Sequence, residues 1–314
     1  MMGKELVIIA GPTASGKSAV SVALAKKACG EVISADSMQV YRHMDIGSAK
    51  ITPSEMQGIP HHMIDILEPT EDFNVSVFSE LAGKAVEKVR SDGKLPILCG
   101  GTGFYIQALL YGIDFAEGET DNELRRMLEK KAALKGTEYM EEELRLFDPV
   151  SAKAYHGNLK RIIRAIEYHS LTGKLMSEKN ALERAKEPIY DAAYFVLTMP
   201  RDVLYKRIDK RVDMMMANGL ISEVKSLKDM GVTREMTSMQ GLGYRQIYDH
   251  LDGRYDLETA VEEIKKQTRH FAKRQLTWFK REKNVIWIDV SGFETPEQIA
   301  GYCLNEITGM DING

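Results

Sequence analysis

Residues 11 to 18 read Gly11-Pro12-Thr13-Ala14-Ser15-Gly16-Lys17-Ser18, directly behind the apolar run Leu6-Val7-Ile8-Ile9. Every fixed position of the phosphate-loop pattern is filled. In such a loop consecutive backbone N–H groups point inward, and the following helix adds the positive end of its dipole. Lys17 supplies a mobile positive charge, and the Ser18 hydroxyl is of the type that ligates Mg²⁺. The context agrees, with a strand-like run before and the apolar stretch Val20 to Leu24 after. A diphosphate-type ligand with Mg²⁺ is expected. The loop by itself favours an ATP-dependent small-molecule kinase.

A second chemical group follows the next apolar run. Glu31-Val32-Ile33-Ser34-Ala35-Asp36 delivers a carboxylate to a strand's carboxyl end, on the phosphate loop's side of a parallel sheet. Two readings of Asp36 stand on position alone: a base or metal-associated carboxylate, or an N-cap, with Ser37, for the next helix.

The elements that must hold these groups are short apolar runs alternating with helical patterns. Leu6–Ala10, Val32–Ala35, Pro96–Cys99, Tyr194–Met199 and Val285–Asp289 read as buried parallel strands. Alternation of this kind predicts an α/β fold, a P-loop NTPase-like doubly wound parallel sheet. His62–Leu67 fits an edge strand or a loop. Between the third and fourth runs lies a charged segment with helical periodicity, carried by Leu124, Leu128, Leu134, Ile162, Ile163 and Ile166. It predicts a helical insertion domain, a lid or clamp, over 117–190, between core segments 1–116 and 191–314. A helix is expected near Asp202–Asn218, closed by Gly219, and a long one from Leu257 to Lys283.

Bulk properties fit a soluble protein of about two domains. The chain has 314 residues, 44% hydrophobic and 28% charged, with a formal net charge of −4. Any nucleic-acid partner must therefore be sought in local patches. Its three cysteines, Cys29, Cys99 and Cys303, are far apart, which argues against a zinc site or disulfide framework and suits a reducing cytoplasm. The phosphate loop begins too early to leave room for a signal peptide, and no apolar stretch reaches the ~20 residues of a membrane span.

Further stretches decide between these readings. Residues 35–52, "ADSMQVYRHMDIGSAKIT", follow the loop, and "HHMID" (61–65), "GGTGFYIQALLYG" (100–112) and "DPVSAKAYHGNLKRIIRAIE" (148–167) come in order after it. Then come "RIDKRVDMMMANGLISEV" (207–224), "QGLGYRQ" (240–246) and "QTRHFAKRQLTWFKR" (267–281). Together these motifs resemble the tRNA dimethylallyltransferases, or tRNA isopentenyltransferases, over most of the chain. Asn158-Leu159-Lys160 stands where that family usually has Asn-Asp and basic residues, and Ser48 replaces a common Thr.

The resemblance implies transfer of a dimethylallyl group from its diphosphate to the N6 amine of adenosine 37 in tRNA. The phosphate loop would then bind the prenyl donor's diphosphate with Mg²⁺, in a monomer, rather than ATP. An adenine amine is a poor nucleophile, so a carboxylate accepting its proton would help, and Asp36 is the candidate. Departure of diphosphate calls for preorganised donors; Lys17, the loop amides and Thr13 are suited to this. By resemblance Thr102 contacts the reacting centre, although a helix N-cap after Gly101 fits its position too. Arg207 and Arg211, four apart, share a helical face, and Leu204, Ile208, Val212 and Met215 form an apolar stripe. Arginine forks suit diphosphate oxygens, and Arg211 is favoured over Arg207.

On the RNA side, Lys265, Lys266, Arg269, Lys273, Arg274, Lys280, Arg281 and Lys283 are interleaved with His270, Phe271, Trp278 and Phe279, with Glu282 the one acid between Lys265 and Lys283. Such a run suits backbone neutralisation and base stacking, with Phe271 and Trp278 expected mostly packed. By resemblance the tRNA contacts also include Asp36, Ser37, Met38, Gln39 and Thr102. They extend to Arg125 and the stretch Lys160, Arg161, Ile162, Ile163, Arg164 on the insertion. Gln240, Gly241, Leu242, Gly243, Tyr244 and Arg245 either join them or form a buried turn. Two alternatives remain: an adenylate isopentenyltransferase, disfavoured by the basic insertion and helix, and the kinase. A non-catalytic RNA-binding protein is disfavoured by the complete loop together with Asp36.

Overall fold

In the computed structural model, residues 4–113 and 122–309 are described. Strand β1 (Leu6–Ala10) is wholly buried, and helix α1 (Lys17–Ala28) returns from it to strand β2 (Gly30–Ala35), also wholly buried. Runs without polar alternation need cover on both faces, which suits interior parallel strands. A short α2 (Pro53–Met56) precedes β3 (His61–His62), which pairs with Val32 and Ile33 of β2. The uncertain 62–67 stretch thus splits. A two-residue edge strand ends where Met63 and Asp65 take positive φ, and Leu67 bridges to Tyr41.

Helix α3 (Val75–Ser91), capped by Asn74, leads to β4 (Leu95–Gly100) and α4 (Gly103–Leu110). After the inserted helices, β5 (Ala192–Thr198) re-enters the sheet beside β1, and β6 (Val285–Asp289) pairs with β5. The order is β3-β2-β4-β1-β5-β6, parallel throughout. The chain lays β2, β3 and β4 on one side of β1, with β4 next to it, and β5 and β6 on the other, so the switch point lies at β1. Crevices for ligands form beyond the carboxyl ends of strands at such a point.

Contacts divide the chain into two compact units, Met1–Leu110 with Tyr190–Gly314, and Tyr111–Ile189. The expected boundary at 116/117 lies outside the described residues. The second unit contains α5 (Asn122–Lys135), α6 (Thr137–Arg145), α7 (Pro149–Ala154), α8 (Leu159–Thr172) and α9 (Met176–Ala185). Leu128, Met140, Leu144, Ile162, Ile163 and Ile166 form its core. Leu134 departs from the expectation: it is 87% exposed, two residues past Ala132 and so on the side of the helix away from the buried stripe of Leu128 and Ala132.

In the first unit, α10 (Arg201–Ala217) is followed by Gly219 in the left-handed region and by α11 (Leu220–Asp229). Helix α12 (Tyr244–Leu251) leads to α13 (Leu257–Phe279), which stops four residues short of the expected Lys283. Helix α14 (Pro296–Thr308) packs on α1.

Candidate functional site: a phosphate loop between two cavities

The loop between β1 and α1 owes its shape to backbone positions that few side chains tolerate. Gly11 has φ +147°, and a Cβ there would lie 2.7 Å from the Leu197 carbonyl of β5. Gly16, at φ +91°, turns the chain into α1. Gly11, Pro12 and Ser15 are buried and frame the turn, while Thr13, Ala14, Gly16, Lys17 and Ser18 line a cavity of about 380 Å³. Lys17 donates to the Pro12 carbonyl at 2.8 Å. Burial lowers its ammonium to about 8; Arg211 pushes the same way, while Cys99 and Asp36 oppose.

Asp36 stands just beyond β2. Its Oδ1 accepts from the Met38 amide at 2.9 Å, which fixes the carboxylate at the strand's end. No helix begins there, so the N-cap reading of Asp36 lapses. Thr102 follows β4, and its carbonyl accepts from the Tyr105 and Ile106 amides at the start of α4. Its backbone therefore holds the N-cap position, while the residue also lines a second cavity of about 350 Å³.

Both cavities lie within the first unit, and they share part of their wall. Thr13, Asp36, Ser48, Arg211, Phe271 and Gln275 border both. Lys17 and Ser18 belong to the first cavity, and Ser37, Met38, Thr102, Gln240, Arg245 and Arg274 to the second. Arg211 donates to the Thr13 hydroxyl at 3.3 Å. Burial lowers the Arg211 pKa from its ordinary value, with Asp36 and Glu55 opposing. The cavity lined by the phosphate loop thus meets a second cavity at a carboxylate, a hydroxyl and a guanidinium, an arrangement suited to moving a group from a diphosphate to an acceptor.

The IPP transferase family model matches residues 39–282. The chain is 51% identical over 310 residues to a tRNA dimethylallyltransferase of Lachnoclostridium phytofermentans, covering 98% of this chain and 99% of that one. The chain belongs to the IPP transferase family. The full-length tRNA isopentenylpyrophosphate transferase of Bacillus halodurans is 42% identical, with a TM-score of 0.73 and 97% of each chain covered. A eukaryotic dimethylallyltransferase acting on tRNA is 29% identical with a TM-score of 0.82, covering 98% of this chain and 81% of that one.

Within this IPP transferase, the remaining expected site residues separate into lining and supporting positions. Gln39 lines the first cavity; Gly241 and Leu242 line the second. Arg207 is exposed and lines neither, one turn before Arg211 on α10. Tyr244 is a correction. Its ring is fully buried, so it does not present a stacking face to RNA. Burial holds its phenol well above its ordinary pKa, and the hydroxyl donates to Glu223 at 2.7 Å while accepting from the Ser48 amide at 3.0 Å. Glu223 also accepts the amides of Asp45, Ile46 and Gly47. Gly47 leaves room for the tyrosine: a Cβ there would lie 2.5 Å from the ring. Together Tyr244 and Glu223 pin the stretch from Asp45 to Ser48.

The basic patches are also thinned by partners. Ile162 and Ile163 are buried in the inserted unit's core, so their side chains are not tRNA contacts, a second correction. Arg125 and Arg164 both bind Glu167, a fully buried carboxylate, at 2.6 and 2.9 Å. Lys160 and Arg161 are exposed, with Arg161 over the Tyr155 ring. Along α13, Lys265 pairs with Asp213 and Arg269 with Asp209, both on α10. Lys273 and Arg274 are exposed, with Arg274 over the Phe271 ring.

Glu223, Gln275 and the Ser48 amide also support the site, and none of them stands out in the sequence. Glu223 and Gln275 lie inside quoted motifs, but a single Glu or Gln on a helix carries no signal of what it touches.

Proposed function

We propose that the protein transfers the dimethylallyl group of dimethylallyl diphosphate to the N6 amine of adenosine 37 in tRNA, releasing diphosphate. The observation that carries this reading is the shared wall of the two cavities, where Asp36 and Arg211 stand with Thr13 of the phosphate loop, between Lys17 and Ser18 in the first cavity and Thr102 and Arg274 in the second. Family membership supports the same reaction.

In this reading the donor's diphosphate lies in the first cavity against the loop amides and Lys17. The N6–C1 bond forms as the C1–O bond to diphosphate breaks. The amine's proton passes to the Asp36 carboxylate, and the electron pair of the broken bond leaves on the diphosphate oxygen. Arg211 and the Thr13 hydroxyl stabilise the charge developing there, where fixed donors need no reorganisation. Thr102 orients the acceptor from the opposite side. The extruded base enters by the second cavity, as modification of a stacked base requires.

Mg²⁺ fits this site. A magnesium ion keeps several waters and takes one or two protein oxygens together with phosphate oxygens. The exposed Ser18 hydroxyl at the start of α1 offers such an oxygen, and among the described residues no cluster of three or more His, Cys, Asp or Glu forms a separate metal cage. Bound there with the donor, the ion would neutralise charge on the departing diphosphate.

Incubation with labelled dimethylallyl diphosphate and an anticodon stem-loop carrying three consecutive adenosines tests the reading. Labelled RNA is expected, dependent on Mg²⁺. Label on free AMP at similar efficiency would instead indicate an adenylate isopentenyltransferase. Phosphoryl transfer from ATP without prenyl transfer would indicate a kinase.

A further inference from the structure

Gln275 is 94% buried by its 6% exposure, on α13, and both ends of its amide are engaged. Its Oε1 accepts from the Thr13 amide at 2.9 Å, and its Nε2 donates to the Gly101 carbonyl at 2.9 Å. Thr13 is in the phosphate loop; Gly101 immediately precedes Thr102. One side chain thus ties the end of β1 to the end of β4. The fit leaves no slack, since a Cβ on Gly101 would lie 2.2 Å from the Gln275 amide nitrogen. Trp278, one turn along α13, closes over Gly103 in the same way, 2.2 Å from where a Cβ would stand.

The Thr13 amide is consequently committed to Gln275. Its hydroxyl accepts from Arg211, so hydrogen bonds run from Gly101 through Gln275 and Thr13 to Arg211. Three of these four residues, Thr13, Arg211 and Gln275, border both cavities. A neutral amide is suited to this place because one neighbour offers an N–H and the other a carbonyl. Glutamate at neutral pH accepts but does not donate; methionine, of similar length, does neither.

We infer that Gln275 is a positioning residue for prenyl transfer, holding the phosphate loop and the Thr102 turn in register so that the leaving diphosphate and the incoming amine are aligned. The inference rests on the transfer reaction proposed above. It assigns Gln275 no contact with substrate. The residue acts through Thr13 and Gly101, and misalignment of about 1 Å is enough to cost on the order of 100-fold in rate.

The test is single-turnover prenyl transfer by the wild type, Gln275→Met and Gln275→Glu, with donor and RNA dissociation constants measured alongside. Transfer by the wild type checks the reaction itself; only the ratio of variant to wild type bears on Gln275. For Gln275→Met the expected result is a rate loss of about 100-fold, with both dissociation constants within about twofold of wild type. For Gln275→Glu the loss should shrink as pH falls from 8 to 5.5, because a protonated carboxyl regains the donor that the Gly101 carbonyl needs. A Gln275→Met rate within twofold of wild type overturns the inference. So does a loss that follows weakened donor and RNA binding in parallel, which marks a purely structural role. If Gln275→Met does not fold, the Gln275→Glu ratio decides, and a ratio flat with pH overturns the inference.

Discussion

The phosphate loop and helix α13 border the same two cavities, yet they are built in opposite ways. The loop is a local structure, with Gly11 to Ser18 shaping it through their own backbone angles and Lys17 bonding back to Pro12, five residues away. Helix α13 contributes through distant partners: Gln275 bonds to Thr13, Arg269 to Asp209 and Lys265 to Asp213. A local device takes its shape from its own consecutive residues. A helix face acquires its role only from what it is set against. Two cations of the basic run on α13, Lys265 and Arg269, are neutralised by α10, and the insertion's Arg125 and Arg164 are likewise committed to Glu167.

The sharpest way to separate the two regions is to remove the group that stands between them. Asp36→Ala is expected to lower single-turnover transfer by about 10²- to 10⁴-fold, the usual worth of a positioned general base. Donor and RNA affinities should remain within about twofold. Turnover close to wild type would remove Asp36 from proton transfer.

Charge reversal on the open part of α13 comes next. Lys273→Glu with Arg274→Glu should weaken RNA binding roughly tenfold or more and flatten its salt dependence by about two phosphate contacts, leaving donor affinity unchanged. An RNA dissociation constant equal to wild type across salt would detach this face from RNA. The matched reversal of Lys265 and Arg269 breaks pairs with Asp213 and Asp209 instead. There the main expected effect is a loss of stability, with a smaller change in RNA binding; equal RNA effects at both places would erase the distinction drawn along α13.

On the loop side, donor binding should depend on pH through Lys17, whose ammonium sits at about 8 in the free protein. Deprotonation removes the charge that meets the diphosphate, so affinity should fall about tenfold between pH 7 and 9. Lys17→Arg should bind donor with little change over that range. Stability carries the opposite sign: the unfolded chain holds this proton up to its ordinary 10.5, so the group's contribution to stability rises from about pH 8 to 10.5. Donor titration calorimetry at several pH values, with thermal melts alongside, measures both slopes.

The smallest effect is expected at Tyr244. Tyr244→Phe removes the bonds to Glu223 and the Ser48 amide, costing about 1–3 kcal/mol of stability. RNA affinity should change little, because the ring is buried. A loss of RNA binding larger than the loss of stability explains would restore Tyr244 as a contact.

Much of the lining of the two cavities was legible in the sequence. The phosphate loop, Asp36 beyond one strand and Thr102 beyond another follow from period and motif, because strand polarity in a parallel sheet sends such residues to the same edge. The residues that read wrongly did so for one reason. Tyr244, Ile162, Ile163 and Leu134 have the right types for a surface contact or a core stripe, but which side of a helix is covered depends on its neighbours. Leu134 falls on the side of α5 away from the packed face, while the two isoleucines fall within the core.

What the sequence by itself determined is therefore the chemistry on offer: an anion-binding loop, a carboxylate, a hydroxyl and positive charge, along with the parallel strands that gather them. Tertiary structure alone decided that two cavities share the wall bearing Asp36, that α10 acids neutralise Lys265 and Arg269 of α13, and that Gln275 joins Thr13 to Gly101. Local geometry is written in consecutive residues through backbone sterics and periodicity. Pairings such as Gln275 with Thr13 span 262 positions, and no local preference of either residue encodes the other.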